Sequence, residues 1–318
     1  MTTAPSGISR VNRDRLSRLH RLAVKPFTVA EASQLLGIDQ RTSRGLMAHL
    51  TSQGWLTRIR PNLYITVPLY ASAPREWRED PWVVAVSVFS PCMIGGWSAA
   101  EHHGLTDQTF RDVVVFASHH VRDRHPRIQD TTFRVVVVHE SRLFGTDIVW
   151  RDRVRVQVSD PSRTVVDILG DPNLGGGIRH VADIVSAYFV HPRRDDARLL
   201  DYARRLANRT VYKRLGYLVE LMDVNAPEVI EACLERKSRG FSLLDPTMPP
   251  SGRCIRRWNL RLNARIEPNW TVTPRLTRES AGILYRRPAV DWPAIAPISV
   301  PMAEFGVGPR PVEWEHHP

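Results

Sequence analysis

The sequence predicts an α+β fold class on three observations. The first 67 residues hold short amphipathic helices that pass through a glycine turn into a basic hairpin. Three apolar, β-branched runs of strand length lie between Asp112 and Val158. Beyond Pro161 the apolar residues recur at helical spacing as far as Lys237.

The first helix is expected from Asn12 to Ala23. Leu16, Leu19, Leu22 and Ala23 fall on one stripe, and Arg13, Arg15, Arg18 and Arg21 mostly point elsewhere. Pro26 ends it. Thr28-Val29-Ala30-Glu31 has the spacing of a capping box, with Thr28 as N-cap and Glu31 reaching back to it. The helix it opens turns Ala32, Leu35 and Leu36 inward. Gly37-Ile38-Asp39 then makes a tight turn. Gly37 takes the left-handed conformation, and Asp39 caps the next helix.

That helix, Gln40–Gln53, sorts into two faces. Ser43, Leu46, Met47 and Leu50 share one arc. Gln40, Arg44, Ala48 and Thr51 share the opposite arc, with Arg41 at its edge. The polar arc begins at the helix N-terminus, the end that reaches base edges in helix-turn-helix proteins. Gln pairs with adenine, and Arg with guanine, through two hydrogen bonds each. A plain amphipathic helix with a solvated face would show the same arc. The next residues favour the DNA reading. Trp55–Arg60 and Leu63–Val67 are two β-forming runs joined around Pro61-Asn62, with Arg58 and Arg60 expected on one face. A basic hairpin directly after a helix-turn-helix is a wing. Gln40, Arg41, Arg44 and Thr51 of the helix, with Arg58, Arg60 and Asn62 of the wing, are the candidate contacts to double-stranded DNA.

Lys and Arg total 44 against 33 Asp and Glu, a formal charge of +11 with a pI near 10.3. Such a surplus favours a polyanionic partner. Only Lys25, Lys213 and Lys237 are lysines. Guanidinium forks suit phosphate and guanine, and a GC-rich genome would also favour arginine. Both explanations stay open. The 318 residues suffice for about two domains. Cys92, Cys233 and Cys254 are odd in number and lack a CxxC pair, which argues against a zinc module and a secreted scaffold. No apolar run approaches the roughly 18–20 residues of a membrane span, and the N-terminus has no apolar signal core. The cytoplasm is the expected compartment.

The second zone carries strand candidates at Asp112–Ala117, Phe133–His139 and Val154–Val158. Their apolar runs suggest burial on both faces. Helices are expected at Trp82–Phe89, Ser98–His103 (capped by Ser98), Pro161–Leu169 (capped by Asp160), Ile178–Phe189, Asp195–Ala207, Val211–Met222 and Pro227–Lys237. The organisation that follows is α+β: an N-terminal winged helix-turn-helix over 1–67, then a mixed α+β domain with a helical second half over 82–262. A charged, Pro-bounded linker over 68–81 is expected to let the two fold apart. Proline density makes 263–318 a poorly ordered tail.

Several motifs recur in a recognisable order. Gly54-Trp55-Leu56 leads through Arg58-Ile59-Arg60 to Tyr64. Then come Gly95-Gly96-Trp97-Ser98-Ala99-Ala100-Glu101-His102-His103-Gly104-Leu105, Val158-Ser159-Asp160-Pro161-Ser162-Arg163-Thr164-Val165-Val166-Asp167 and Tyr217-Leu218-Val219-Glu220. Over residues 10–262 the chain resembles the AbiEi-type antitoxins of type IV toxin–antitoxin systems. The resemblance implies a bacterial protein that represses its own operon through the winged helix. It implies that the second domain neutralises a nucleotidyltransferase-like toxin, with no stable contact assumed and no catalytic residues. The resulting expectation is a non-enzymatic autorepressor without metal or cofactor, with room for self-association on DNA. Two rival classes remain: a nuclease or hydrolase targeted by the winged helix, and an ordinary repressor whose second domain senses a ligand or dimerises.

Other constellations read as structure. Ser98 and His102 share a helix side, but Ser98 is better placed as a cap than as a nucleophile. His102-His103, His119-His120 and His125 lack a carboxylate or Cys at ligand spacing. Glu235-Arg236-Lys237, with Asp223 upstream, has a nuclease-like composition but lies on an expected helix. Gly175-Gly176-Gly177 lacks the frame of a phosphate loop. Arg163 and Asp167 are spaced for an ion pair along one helix.

Overall fold

The computed structural model describes residues 8–68, 71 and 76–267. Nearly all of the expected tail, from residue 268 onward, lies outside the described residues, as does part of the expected linker. The fold is mixed α+β, a winged helix followed by an α+β domain with a helical second half.

α1 (Arg10–Leu22) opens where Ser9 accepts the Asn12 N–H. α2 (Val29–Leu36) carries the expected capping box. Thr28 Oγ1 accepts the Glu31 N–H, and Glu31 returns to the Thr28 N–H at 2.7 Å. Gly37 is left-handed at φ 67°, and α3 (Gln40–Ser52) follows, capped by Asp39. β1 (Leu56–Arg60) and β2 (Leu63–Thr66) pair antiparallel, and Phe27 bridges Tyr64 as a short third strand. Leu16, Leu19, Ala32, Leu36, Met47, Leu50 and Leu56 close the small core. Leu22 does not join it. The helix ends there, and Leu22 stays 50% exposed.

The second part starts with α4 (Pro81–Phe89), β3 (Cys92–Ile94), α5 (Gly96–His102), β4 (Val113–Ala117), β5 (Arg127–Ile128), β6 (Thr131–Val137), β7 (Thr146–Arg151) and β8 (Val154–Ser159). These strands form one mixed sheet in the order β5-β6-β4-β3-β8-β7. Then come α6 (Pro161–Gly170), α7 (Ile178–Val190), α8 (Asp196–Leu206), α9 (Arg209–Leu221) and α10 (Pro227–Arg236). A small sheet of β9 (Ser242–Leu243), β10 (Cys254–Ile255) and β11 (Leu260–Arg261) ends the described chain.

The large sheet is the middle of three layers. Met93, Val114 and Phe116 face the helices from α5 to α10. Ile94, Val115, Phe133 and Val158 face α4 on the other side. Burial on both faces holds throughout β4. β8 instead alternates, with Arg155 and Gln157 exposed between buried valines, because only its even-numbered residues face α4. α5 starts two residues before Ser98. Ser98 Oγ accepts the Val114 N–H at 3.1 Å and ties the helix to the sheet instead of capping it.

The wing does not stand apart from this second part. Ile59, Leu63 and Ile65 belong to the same buried cluster as Trp82, Val83 and the outer sheet face. Full burial of such side chains contributes about 1.5–3 kcal/mol each. Residues preceding α4 are also tied down. The Glu79 N–H donates to Gln129 Oε1 at 3.2 Å, and Arg78 pairs with Asp130 at 3.0 Å. One hairpin thus serves two cores, with Tyr64 toward the helices and Leu63 and Ile65 toward α4. This shared core stands against the expectation of two domains free to fold apart.

Candidate nucleic-acid interface

The helix-turn-helix is held rigidly by bonds that leave one face of α3 open. Ser43, buried on the apolar arc, donates its hydroxyl to the Val29 carbonyl at 3.0 Å. Arg18 of α1 donates to the Leu35 and Leu36 carbonyls at 3.2 and 3.3 Å, closing the C-terminus of α2. The Thr42 hydroxyl and N–H hold the Asp39 carboxyl below its ordinary pKa. Leu46, Met47 and Leu50 are buried as expected.

On the open face, Gln40, Arg41, Arg44 and Ala48 are exposed. Their side chains make no hydrogen bond or ion pair within the described residues, so they are free to meet a groove. Thr51 departs from this set. It is half-buried, and its Oγ1 is buried without a partner. It keeps the angular position of Gln40 and Arg44 but lies in the last turn of α3, the end that leads into the wing.

The wing residues divide as well. Arg58 and Arg60 are both exposed. The register shifts between them, so Arg58 lies across from Tyr64 and Arg60 across from Leu63. Those two successive residues face opposite sides of the hairpin. The β-bulge therefore separates two arginines that simple alternation put on one face. Asn62 is committed. It sits at φ 64°, and its Oδ1 accepts the Val29 N–H at 3.3 Å.

Arg58 has company that the sequence reading missed. With Thr57, Gln129, Arg78, Arg127 and Asp130 it lines an open depression of about 420 Å³. Three guanidinium groups there face one carboxylate, which both Arg78 and Arg127 contact. The sequence signal is Arg127, the last arginine of the basic stretch Arg122, Arg124 and Arg127. A second missed signal is where the charge sits. Residues 1–67 hold ten Lys or Arg and three Asp or Glu, so seven of the chain's eleven surplus positive charges fall there.

The remaining constellations fall into structural roles. Arg163 donates Nε to both Asp167 oxygens at 3.0 Å, and the pair is almost fully buried. Burial nevertheless pushes the Asp167 carboxyl up to about 6, against the pull of Arg163. Asp160 caps α6 and accepts the Tyr202 hydroxyl at 2.9 Å. His103 donates Nε2–H to the Ser159 carbonyl at 2.7 Å, and burial lowers its pKa. Three glycines precede α7, but the carboxylate of Asp245 already accepts the Ile178 N–H at 3.2 Å, filling the place an anion would take. Glu235 pairs with its neighbour Arg236 at the end of α10. Among the described residues, no group of three or more His, Cys, Asp or Glu is placed to hold a metal, and no helix is long and apolar enough to cross a membrane.

The fold defines the chain as a winged helix joined to a helix-covered mixed sheet. Among solved structures it is similar to one described as the crystal structure of RV2827C protein from Mycobacterium tuberculosis. That similarity has a TM-score of 0.57 at 18% identity over 80% of this chain and 92% of that one. At that identity the likeness is one of fold. No protein-family model and no curated protein matches the chain.

Proposed function

We propose that the protein is a non-enzymatic, cytoplasmic DNA-binding autorepressor and the antitoxin of a type IV toxin–antitoxin system. One observation carries the DNA reading: the open face of α3 presents Gln40, Arg41 and Arg44 uncommitted, and a wing with exposed arginines follows it in the most basic part of the chain. Gln40 and Arg44 read base edges, while Arg58 neutralises phosphate. Arg127 lies beside Arg58 and extends the phosphate track onto the second domain. The antitoxin half of the proposal rests on the resemblance. Two of its motifs meet at the β8–α6 junction, where the Ser159 hydroxyl bonds Thr164 at 2.7 Å and the Ser159 carbonyl accepts from His103 at 2.7 Å. They read as determinants of the fold, which suits a domain without catalytic residues.

The test is a fluorescence-anisotropy titration of the full chain on its own upstream DNA, with excess unrelated duplex, across a salt series. Specific binding should fall steeply with salt, since released counterions dominate the binding term. A neighbouring nucleotidyltransferase gene whose toxicity the chain relieves would complete the reading. Salt-insensitive or absent binding overturns the DNA half, and failure of rescue overturns the antitoxin half.

A further inference from the structure

A cavity of about 660 Å³ opens between the α1–α2 connection and the β7–β8 hairpin. Its walls come from two parts of the chain. Leu22, Val24 and Leu35 belong to the helix-turn-helix, and Val86, Trp150 and Val154 to the α+β domain. The volume lies within the roughly 300–1,000 Å³ of ordinary small-molecule sites. Leu22, Val24 and Trp150 remain 50%, 46% and 61% exposed around it. Three large apolar side chains left half in water about one concavity mark a surface built to be covered.

The charge in the lining says by what. Lys25, Arg153 and Arg155 line the same cavity and are exposed. None forms an ion pair among the described residues. Arg153 donates one N–H to the His20 carbonyl at 3.4 Å, and the Arg155 guanidinium stands 6.0 Å from the Trp150 ring centre. The single carboxylate in the lining, Glu31, accepts the Thr28 N–H and hydroxyl at 2.7 and 2.8 Å and is held ionised in part by the charge of Lys25. An apolar lining that carries three cations against one carboxylate suits a ligand with an apolar body and an anionic head. A nucleic-acid backbone fits poorly, because the floor offers no row of donors for successive phosphates.

We infer that this cavity is a binding site for an amphipathic organic anion, a carboxylate carried on an alkyl or aryl body. The inference does not depend on what the open face of α3 binds.

Isothermal titration of the full chain with decanoate, kept below its micellar concentration, tests it. Decyltrimethylammonium, with the same chain and the opposite charge, and decanol, with none, are the comparisons. Decanoate should bind one to one, and decanol and the cation at least ten-fold more weakly. Arg153→Glu combined with Arg155→Glu should weaken decanoate at least ten-fold. Val24→Trp, which fills the cavity without altering charge, should abolish binding. These side chains are exposed or half-exposed, so an unchanged melting temperature is expected of both variants. Should one of them fail to fold, the other still decides. No saturable decanoate binding, equal binding of the cation, or unchanged affinity in a folded variant would each overturn the assignment.

Discussion

The side chain of Asn62, at the turn of the wing, accepts the backbone N–H of Val29, in the first turn of α2, at 3.3 Å. A helix leaves its first N–H groups without intrahelical partners, and here the wing supplies one. The same residue holds a left-handed conformation at φ 64°, which Asn tolerates and most residues do not. Asn62→Ala should lose both contributions and cost about 1–2 kcal/mol. Asn62→Gly should keep the backbone and lose only the bond, costing less. Urea unfolding of the two variants compares them, and equal costs would discount the backbone contribution.

Gln40 and Arg44 are exposed on the open arc of α3, on the side opposite the buried Leu46, Met47 and Leu50. The double variant Gln40→Ala/Arg44→Ala should therefore leave stability within about 0.5 kcal/mol per substitution. It should lose repression of an operon-promoter reporter and keep rescue from the toxin. Arg58→Ala should instead weaken all sequences alike and lower the salt slope by about one. If the double variant loses rescue at a normal protein level, the two activities are not separable.

Leu63 is 5% exposed, and it faces α4 and the sheet rather than the helix-turn-helix core. Leu63→Ala should cost about 3 kcal/mol. Because the wing lies in both cores, the described part of the chain should melt in one cooperative step. Calorimetry that resolves a separate winged-helix transition would contradict the shared core.

These relationships mark what a reading of residues can and cannot reach. Thr28, Glu31, Gly37, Asp39 and Asp160 act through their own neighbours in sequence, so the caps and turns were legible. The apolar runs of β4, β6 and β8 were legible for the same local reason. What escaped depends on partners far along the chain. Short β3 has too few residues to show a period. Asn62 looked free because its partner is 33 residues away, and Arg18 looked solvated because the α2 carbonyls it closes lie 17 and 18 residues away. The bulge between Arg58 and Arg60 depends on the pairing with β2, which alternation along one strand cannot show. Arg127 joined the candidate interface only through tertiary placement beside Arg58.

Gly216 and Trp258 illustrate the same long-range dependence. A Cβ on Gly216 would lie 2.1 Å from the Trp258 ring. The indole is buried against α9, and its N–H donates to Glu220, which also takes Arg257. Gly216→Ala should displace the ring and cost about 3 kcal/mol or somewhat more, in the overpacking range. Glu220→Gln keeps an acceptor for the indole and should cost less. Near-ultraviolet circular dichroism, sensitive to a packed indole, should change in the first variant and much less in the second. An Ala variant with native stability would show that the ring can give way cheaply.

His103 sets an expected pH response. Burial lowers its pKa from 6.5, and its Nε2–H already serves the Ser159 carbonyl. The unfolded chain therefore takes up a proton near pH 6.5 that the folded chain accepts only at lower pH. Unfolding binds protons in that window, so stability is complete above about pH 6.5 and is lost as pH falls through the lowered folded value. Burial shifts His20 and His191 the same way, so they add to the slope. Each such histidine contributes at most about 1.4 kcal/mol per pH unit. Asp167 opposes them, because burial raises its carboxyl to about 6 and the folded chain takes up that proton in the same window. The histidine share is therefore read by comparing urea midpoints between pH 7 and pH 5 for the native sequence and a variant. His103→Gln, which retains an N–H for Ser159, should remove its part of the fall toward pH 5. A slope unchanged by that substitution would mean that the buried imidazole is protonated in the fold as readily as outside it.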